Sequence, residues 1–349
     1  MFGIDRHVAR AVWTVALVLL LLVLVFLVRK TLFVFIVALL LAYLLSPLVN
    51  LLDRLGPRRR TRIAALSAAY AILILALVLV GQQIGSRVVE EANSLSRRAP
   101  EMLAHWEKAA AQPDATAGWV QGQLADRLRI EVSKWSSDLF AGLPKVGIRL
   151  LGFASDLVYV VIVPILAFFF LKDGFVFREH ILALVDDGPR RVLLDDVMAD
   201  VHLLLAHYMR ALVLLSCATF VSYSIFFAIL GVPYGILLAT TAFLLEFIPM
   251  LGPLAAGAII LAVALVSGEH ALAVLIFLLA YRMFQDYVLS PHVMGTGVEL
   301  HPLLVLFGVF AGAEVAGIPG AFLSVPVLAL VRVLYFRMRK ARAARTIAV

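Results

Sequence analysis

The chain has 349 residues, 63% of them hydrophobic and 15% charged, with a mean hydropathy of +1.01. Soluble globular chains carry roughly 45–50% apolar and about 25% charged residues, so a soluble enzyme or binding module is excluded. The net charge of +7 does not point to nucleic acid, because the basic residues flank apolar runs: Arg58, Arg59, Arg60 and Arg62 between two of them, Arg337, Arg339, Lys340, Arg342 and Arg345 after the last. Such flanks anchor spans on the cytoplasmic side, and membrane lipids with anionic headgroups are their expected partner.

A bilayer core about 30 Å thick needs about 20 apolar residues of helix to cross it. Residues 11–28, 31–52, 63–84, 150–171 and 212–230 fit that length with almost no charge. The runs are continuous rather than alternating, so they read as helices and not as barrel strands. The expected fold class is therefore all-α, a polytopic transmembrane helical protein. The first run has Arg6 and Arg10 before it but is long and closed by no small-x-small cleavage site, so it reads as a retained helix. The single cysteine, Cys217, lies in an apolar run and can form no disulfide within the chain.

Loop charge predicts topology. The basic loop after residue 52 is expected in the cytoplasm, with the Arg29–Lys30 turn outside and both termini inside. Residues 85–147 then lie outside. Val88, Ala92, Leu95, Ala99 and Leu103 recur there at helical spacing, with Pro100, Pro113 and Gly118 interrupting the pattern. Trp106, Trp119 and Trp135 suit either the headgroup layer or a small core of that region. Residues 172–206 return to the cytoplasm and carry Asp173, Glu179, Asp186, Asp187, Asp195, Asp196 and Asp200. Adjacent acids do not share a helix face, so a solvated amphipathic helix lying on the bilayer is expected rather than a metal site.

Two later segments, 236–266 and 302–334, are apolar but broken at their centres. The first break carries Glu246, Pro249, Gly252 and Pro253; the second carries Glu314, Pro319 and Gly320. Proline removes a donor and clashes with the preceding turn, so neither segment continues as one helix. Each half is about 13–16 residues, roughly 20–24 Å at 1.5 Å per residue, too short to span. A re-entrant helical hairpin fits both lengths, and a kinked, tilted crossing is the alternative. Paired interrupted segments point to a transporter's binding site.

Ionisable residues inside a membrane are costly and mark function. A carboxyl at each break, Glu246 or Glu314, can exchange a proton for a cation, or can cap a half-helix N-terminus. Arg282, Gln285 and Asp286 lie near the end of the crossing between the two breaks, and Arg282 and Asp286 are spaced for an ion pair or a substrate contact. His292 and His301 flank a glycine-containing loop without the carboxylate or cysteine spacing of a metal site. No metal, no cofactor, no nucleotide and no hydrolytic motif is expected, and the chain is not read as an enzyme.

Four stretches in order resemble the AI-2E transporter family, the autoinducer-2 exporter-like membrane proteins. They are Phe168-Phe169-Phe170-Leu171-Lys172-Asp173-Gly174; Pro233-Tyr234-Gly235 leading to Glu246-Phe247-Ile248-Pro249 and Gly252-Pro253; Gln285-Asp286-Tyr287-Val288-Leu289-Ser290-Pro291; and Leu300-His301-Pro302 leading to Gly317-Ile318-Pro319-Gly320. The resemblance implies a bacterial inner-membrane exporter of small molecules, including a quorum-sensing furanone, with sodium(lithium)/proton antiport in some members. Lys172 and Asp173 mark its cytoplasmic motif. Where the family often carries Gly-Gln after its arginine, this chain has Ala211-Leu212 after Arg210.

The organisation expected is N-terminal spans 1–84, an extracytoplasmic helical region 85–148, a span 149–171, a cytoplasmic segment 172–206, a transport core 207–335 and a basic tail 336–349. The expected function is a secondary transporter exporting an autoinducer-2-like solute on a proton or sodium gradient. A sodium(lithium)/proton antiporter and a non-transporting membrane scaffold are the alternatives. A small molecule or ion is the expected substrate, and a homo-oligomer the expected assembly.

Overall fold

The computed structural model describes residues 6–55, 62–111, 157–267, 270–294 and 300–347. The tip of the basic loop with Arg58–Arg60, the segment with Pro113, Gly118, Trp119 and Trp135, and the loop glycines Gly295 and Gly297 lie outside them. Among the described residues every regular element is helical. Five stretches of the described residues are long and apolar enough to cross a membrane: Arg29–Leu55, Ile63–Met102, Pro189–Leu230, Ala271–Val293 and Pro302–Arg339.

Helix α1 (Arg6–Leu27) runs into α2 (Arg29–Leu55) with no reversal. Val28 N–H bonds to Leu24 O at 3.0 Å and Leu32 N–H to Val28 O at 2.9 Å, so helical pairing passes through the junction. The turn expected at Arg29–Lys30 is corrected: both residues are good helix formers, and no Gly or Pro stands there to stop the helix. With it goes the reversal on which the placement of the N-terminus rested. Every described α1 side chain is exposed, which suits an apolar helix whose solvent is lipid.

Helix α3 (Arg62–Val80) continues through a π turn, Gly81–Gly85, into α4 (Ser86–Ala111). The apolar stripe of α4 buries Leu95 and Ala99, with Val88 and Ala92 packed beside them. Pro100 does not break this helix, contrary to expectation. Its missing N–H falls on an exposed face, where water can satisfy the freed carbonyl of Ser96.

Helix α5 (Leu157–Ala183) passes straight through Lys172 and Asp173, and α6 (Pro189–Leu230) begins after Gly188, whose φ is +146°. The separate amphipathic helix expected over 172–206 is therefore absent. Its residues instead finish α5 and start α6, because only Gly188-Pro189 breaks the helical run. Small side chains draw α2, α3 and α5 together. Ala38, Ala69 and Ala167 are fully buried, as apolar interfaces in membranes favour. The Tyr70 hydroxyl donates to Pro164 O at 2.9 Å across the α3–α5 contact.

Both broken segments fold back on themselves. Helix α7 (Gly235–Leu245) and α8 (Leu251–Ser267) form the first hairpin, with Met250 at φ +64° in its bend. The approach is so close that a Cβ on Gly252 would sit 1.7 Å from Leu245 O. After α9 (Ala271–Phe284), a π turn Gln285–Leu289 and α10 (Ser290–Met294), α11 (Pro302–Ile347) makes the second hairpin. Its backbone leaves helical geometry at Ala316 and Gly317, and a Cβ on Gly320 would meet Gly312 O at 1.9 Å. A single kinked crossing cannot bring Gly312 and Gly320 into contact, since eight residues of helix span about 12 Å.

Candidate functional site

The first hairpin bend positions Glu246. Its own N–H closes the last turn of α7 on Ala242 O, and its side chain turns across to α6 and α9. Gln285 Nε2 donates to Glu246 Oε1 at 2.5 Å, and Thr219 Oγ1 donates to Oε2 at 3.4 Å. Thr219 Oγ1 also lies 3.1 Å from the Tyr281 hydroxyl. Glu246, Gln285, Thr219 and Tyr281 are all buried, and Glu246 is the one buried ionisable acid or base among the described residues apart from tyrosines. Its carboxylate partners side chains across the bundle rather than the first N–H groups of α8. The capping alternative is not what the geometry shows for this residue.

A cavity of about 730 Å³ opens against Glu246. Its wall joins the hairpin bend (Pro249, Met250, Pro253), the middle of α6, the π turn with Gln285 and Asp286, and both arms of the second hairpin through Val305 and Val325. Most of this wall is apolar. Arg282 Nε pairs with Asp286 Oδ2 at 2.8 Å on its rim, so the spacing seen in sequence does make an ion pair. The π turn holds Ser290 N–H on Gln285 O, and π turns of this kind are common at functional sites. Ala211 and Leu212, the departure from the family's Gly-Gln, both line the cavity and are buried.

The structure thus gathers Glu246, Arg282, Gln285, Asp286, Pro249 and Pro253 in one place, with Gly252 shaping the bend. It does not bring Glu314 there. Glu314 is exposed at the end of the outgoing arm of the second hairpin, and Pro319 and Gly320 serve the hairpin rather than the cavity. Lys172 and Asp173 lie 3.9 Å apart on the surface of α5, away from the cavity. His292 bonds back to Val288 O on its own helix, and His301 Nδ1 accepts from Leu303 N–H at the start of α11. Among the described residues no group of three or more His, Cys, Asp or Glu is placed to hold a metal. Thr219 and Tyr281 were missed by sequence reasoning. A lone Thr and Tyr in apolar helices carry no signal until the fold sets them beside Glu246.

The acidic start of α6 has a partner too. Arg337 donates to Asp200 through Nε at 2.6 Å and Nη2 at 2.8 Å, and to Asp196 through Nη1 at 2.8 Å. Arg178 pairs with Asp195 at 2.6 Å. Arg337 of the basic tail therefore meets carboxylates of α6. Asp200 also lines the cavity.

Apolar helices around a buried carboxylate and a cavity between two helical hairpins define a polytopic membrane protein with an internal cavity. The chain belongs to the AI-2E transporter family: the model described as "AI-2E family transporter" matches residues 15–340. It is 28% identical over 181 residues to "Putative transport protein YrrI" of Bacillus subtilis, covering 51% of each chain. With "Putative transport protein YueF" of the same organism it shares 23% over 349 aligned positions, covering 93% of this chain and 92% of that one. A protein of Mycobacterium tuberculosis with a similar name, MT0215, is 38% identical over 104 residues, covering 29% of this chain and 28% of its own. The chain thus spans about half of YrrI and about a quarter of MT0215.

Proposed function

We propose that this chain is a secondary transporter that carries a small solute through the cavity, with Glu246 exchanging a proton or sodium ion as the solute moves. The observation that carries the reading is the buried Glu246 carboxylate at a hairpin bend, facing an apolar cavity. Such a charge is costly in a membrane and is kept where ions or protons are handled. The relatives' names and the family support transport over a passive scaffold. Export of an autoinducer-2-like solute follows from the family resemblance. The cavity volume favours an organic solute over sodium(lithium)/proton antiport alone, since a bare cation needs a small fraction of 730 Å³.

The proposed setting is a bacterial inner membrane, in a homo-oligomer, with residues 172–206 and the C-terminus cytoplasmic. The ion pairs of Arg337 with Asp196 and Asp200 support a common side for the last two. A cysteine at Asp186 in a Cys217→Ser background should then react with an impermeant reagent only after permeabilisation. The function itself is tested by gradient-driven flux of autoinducer-2 and of sodium in proteoliposomes. Glu246→Gln should reduce flux to the empty-vesicle level, and wild-type flux in that variant would refute the coupling role.

A further inference from the structure

The Glu246 carboxylate has two faces. Glu246 and Gln285 line the cavity, whereas Thr219 and Tyr281 do not. They stand behind the carboxylate, buried between α6 and α9. Gln285 holds Oε1 through an amide N–H, which can only donate. Thr219 holds Oε2 through a hydroxyl, which can donate and accept at once. Of the two side chains on the carboxylate, only the threonine can pass a proton on. Ser222, half-buried one turn along α6, is a further hydroxyl beside the Tyr281 side chain.

We propose that Thr219 and Tyr281 form a proton relay that charges and discharges Glu246 from the side opposite the cavity. The inference rests on Glu246 being the coupling carboxylate. In the inward step a hydronium ion gives a proton to the Tyr281 oxygen. The original Tyr281 proton passes to the Thr219 oxygen, and the original Thr219 proton passes to Glu246 Oε2. Each hydroxyl ends with one proton, as it began; hydronium becomes water and the carboxylate becomes a carboxylic acid. No group is oxidised, and neither hydroxyl need persist as an ion. Discharge runs the same steps in reverse. The titratable groups around Glu246 are Arg282 and Asp286 on the adjoining helix and π turn, together with Tyr223 and Tyr281. None of the four links the carboxylate to a second hydroxyl except Tyr281, through Thr219.

The relay can be tested without a solute. Infrared difference spectra of the purified protein after a pH jump report the carboxyl C=O stretch of Glu246, assigned by its loss in Glu246→Gln. In Thr219→Val the band should rise about tenfold or more slowly than in wild type, the size expected for one lost hydrogen bond to a charged group, and in Tyr281→Phe, which loses a bond between two neutral hydroxyls, about threefold to tenfold more slowly. Thr219→Ser, which keeps the hydroxyl, should restore the wild-type rate, and a purely structural threonine would not show that rescue. Wild-type rates in both Thr219→Val and Tyr281→Phe would overturn the relay and leave the transport reading standing. Absence of any titrating band lost in Glu246→Gln would overturn the relay by denying proton exchange at this residue. Loss of flux by itself bears only on the transport reading.

Discussion

The Glu91 carboxylate accepts the backbone N–H of Leu237 at 2.8 Å, joining residues 146 apart in the chain. Leu237 lies in the first turn of α7, whose preceding residue, Tyr234, offers no side-chain cap. Glu91 supplies the missing acceptor from α4 and places a negative charge at the positive end of the helix. Helix α4 thereby holds the entry to the first hairpin. Replacing Glu91 with Ala should cost about 0.5–2 kcal/mol, the usual range for a lost cap. In a detergent melt of a 349-residue chain that corresponds to about 1–2 °C per kcal/mol. The neighbouring Glu90→Ala, at an exposed position, should leave the melt unchanged.

Gly320 carries the second hairpin. A methyl group there would sit 1.9 Å from the backbone oxygen of Gly312, so Gly320→Ala must push the two arms apart. Fluorescence-detected size exclusion should show loss of the monodisperse peak. Gly174→Ala, where a methyl meets nothing within 4 Å, is the matched control and should run as wild type.

Gln285 satisfies one oxygen of a buried carboxylate. Gln285→Leu keeps the volume and removes the donor, which should destabilise the fold by about 1.5–3 kcal/mol, the range for hydrogen bonds to charged groups. Gln285→Glu would instead set a second carboxyl against Glu246. That variant should melt well below wild type at neutral pH and recover as the pH falls and a shared proton binds, because like charges this close cannot both ionise. A melt that is independent of pH would contradict the contact.

The Arg337 cluster is partly open to solvent, so its attraction is screened. Arg337→Gln should weaken attachment of the C-terminal arm to α6 at low ionic strength. The difference from wild type should shrink in molar salt. Limited proteolysis near the C-terminus at two salt concentrations reads this directly.

The helical class and the positions of both breaks were legible in sequence, because apolar run length and Ile-Pro-Gly chemistry are local signals. Glu246, Gln285 and the Arg282–Asp286 pair were legible for the same reason: a charged or strongly polar side chain stands out in an apolar run. What sequence could not separate was Glu246 from Glu314. The two breaks look alike along the chain, and only packing buries one carboxylate against α6 and α9 while leaving the other exposed. The junction at Arg29–Lys30 misled because charge marks loops statistically, whereas helical hydrogen bonding needs only residues that do not oppose it. Arg337 and Asp200 are 137 residues apart, and no local pattern could have paired them.

Under the proposed transport cycle Glu246, and not Glu314, carries the proton. Proteoliposomes loaded with a pH-sensitive dye and given a gradient of autoinducer-2, with sodium as the parallel arm, measure this most directly. Wild type and Glu314→Gln should both shift the internal pH as solute moves, and Glu246→Gln should leave it flat. A pH shift at the wild-type rate in Glu246→Gln, or its loss in Glu314→Gln alone, would contradict the account.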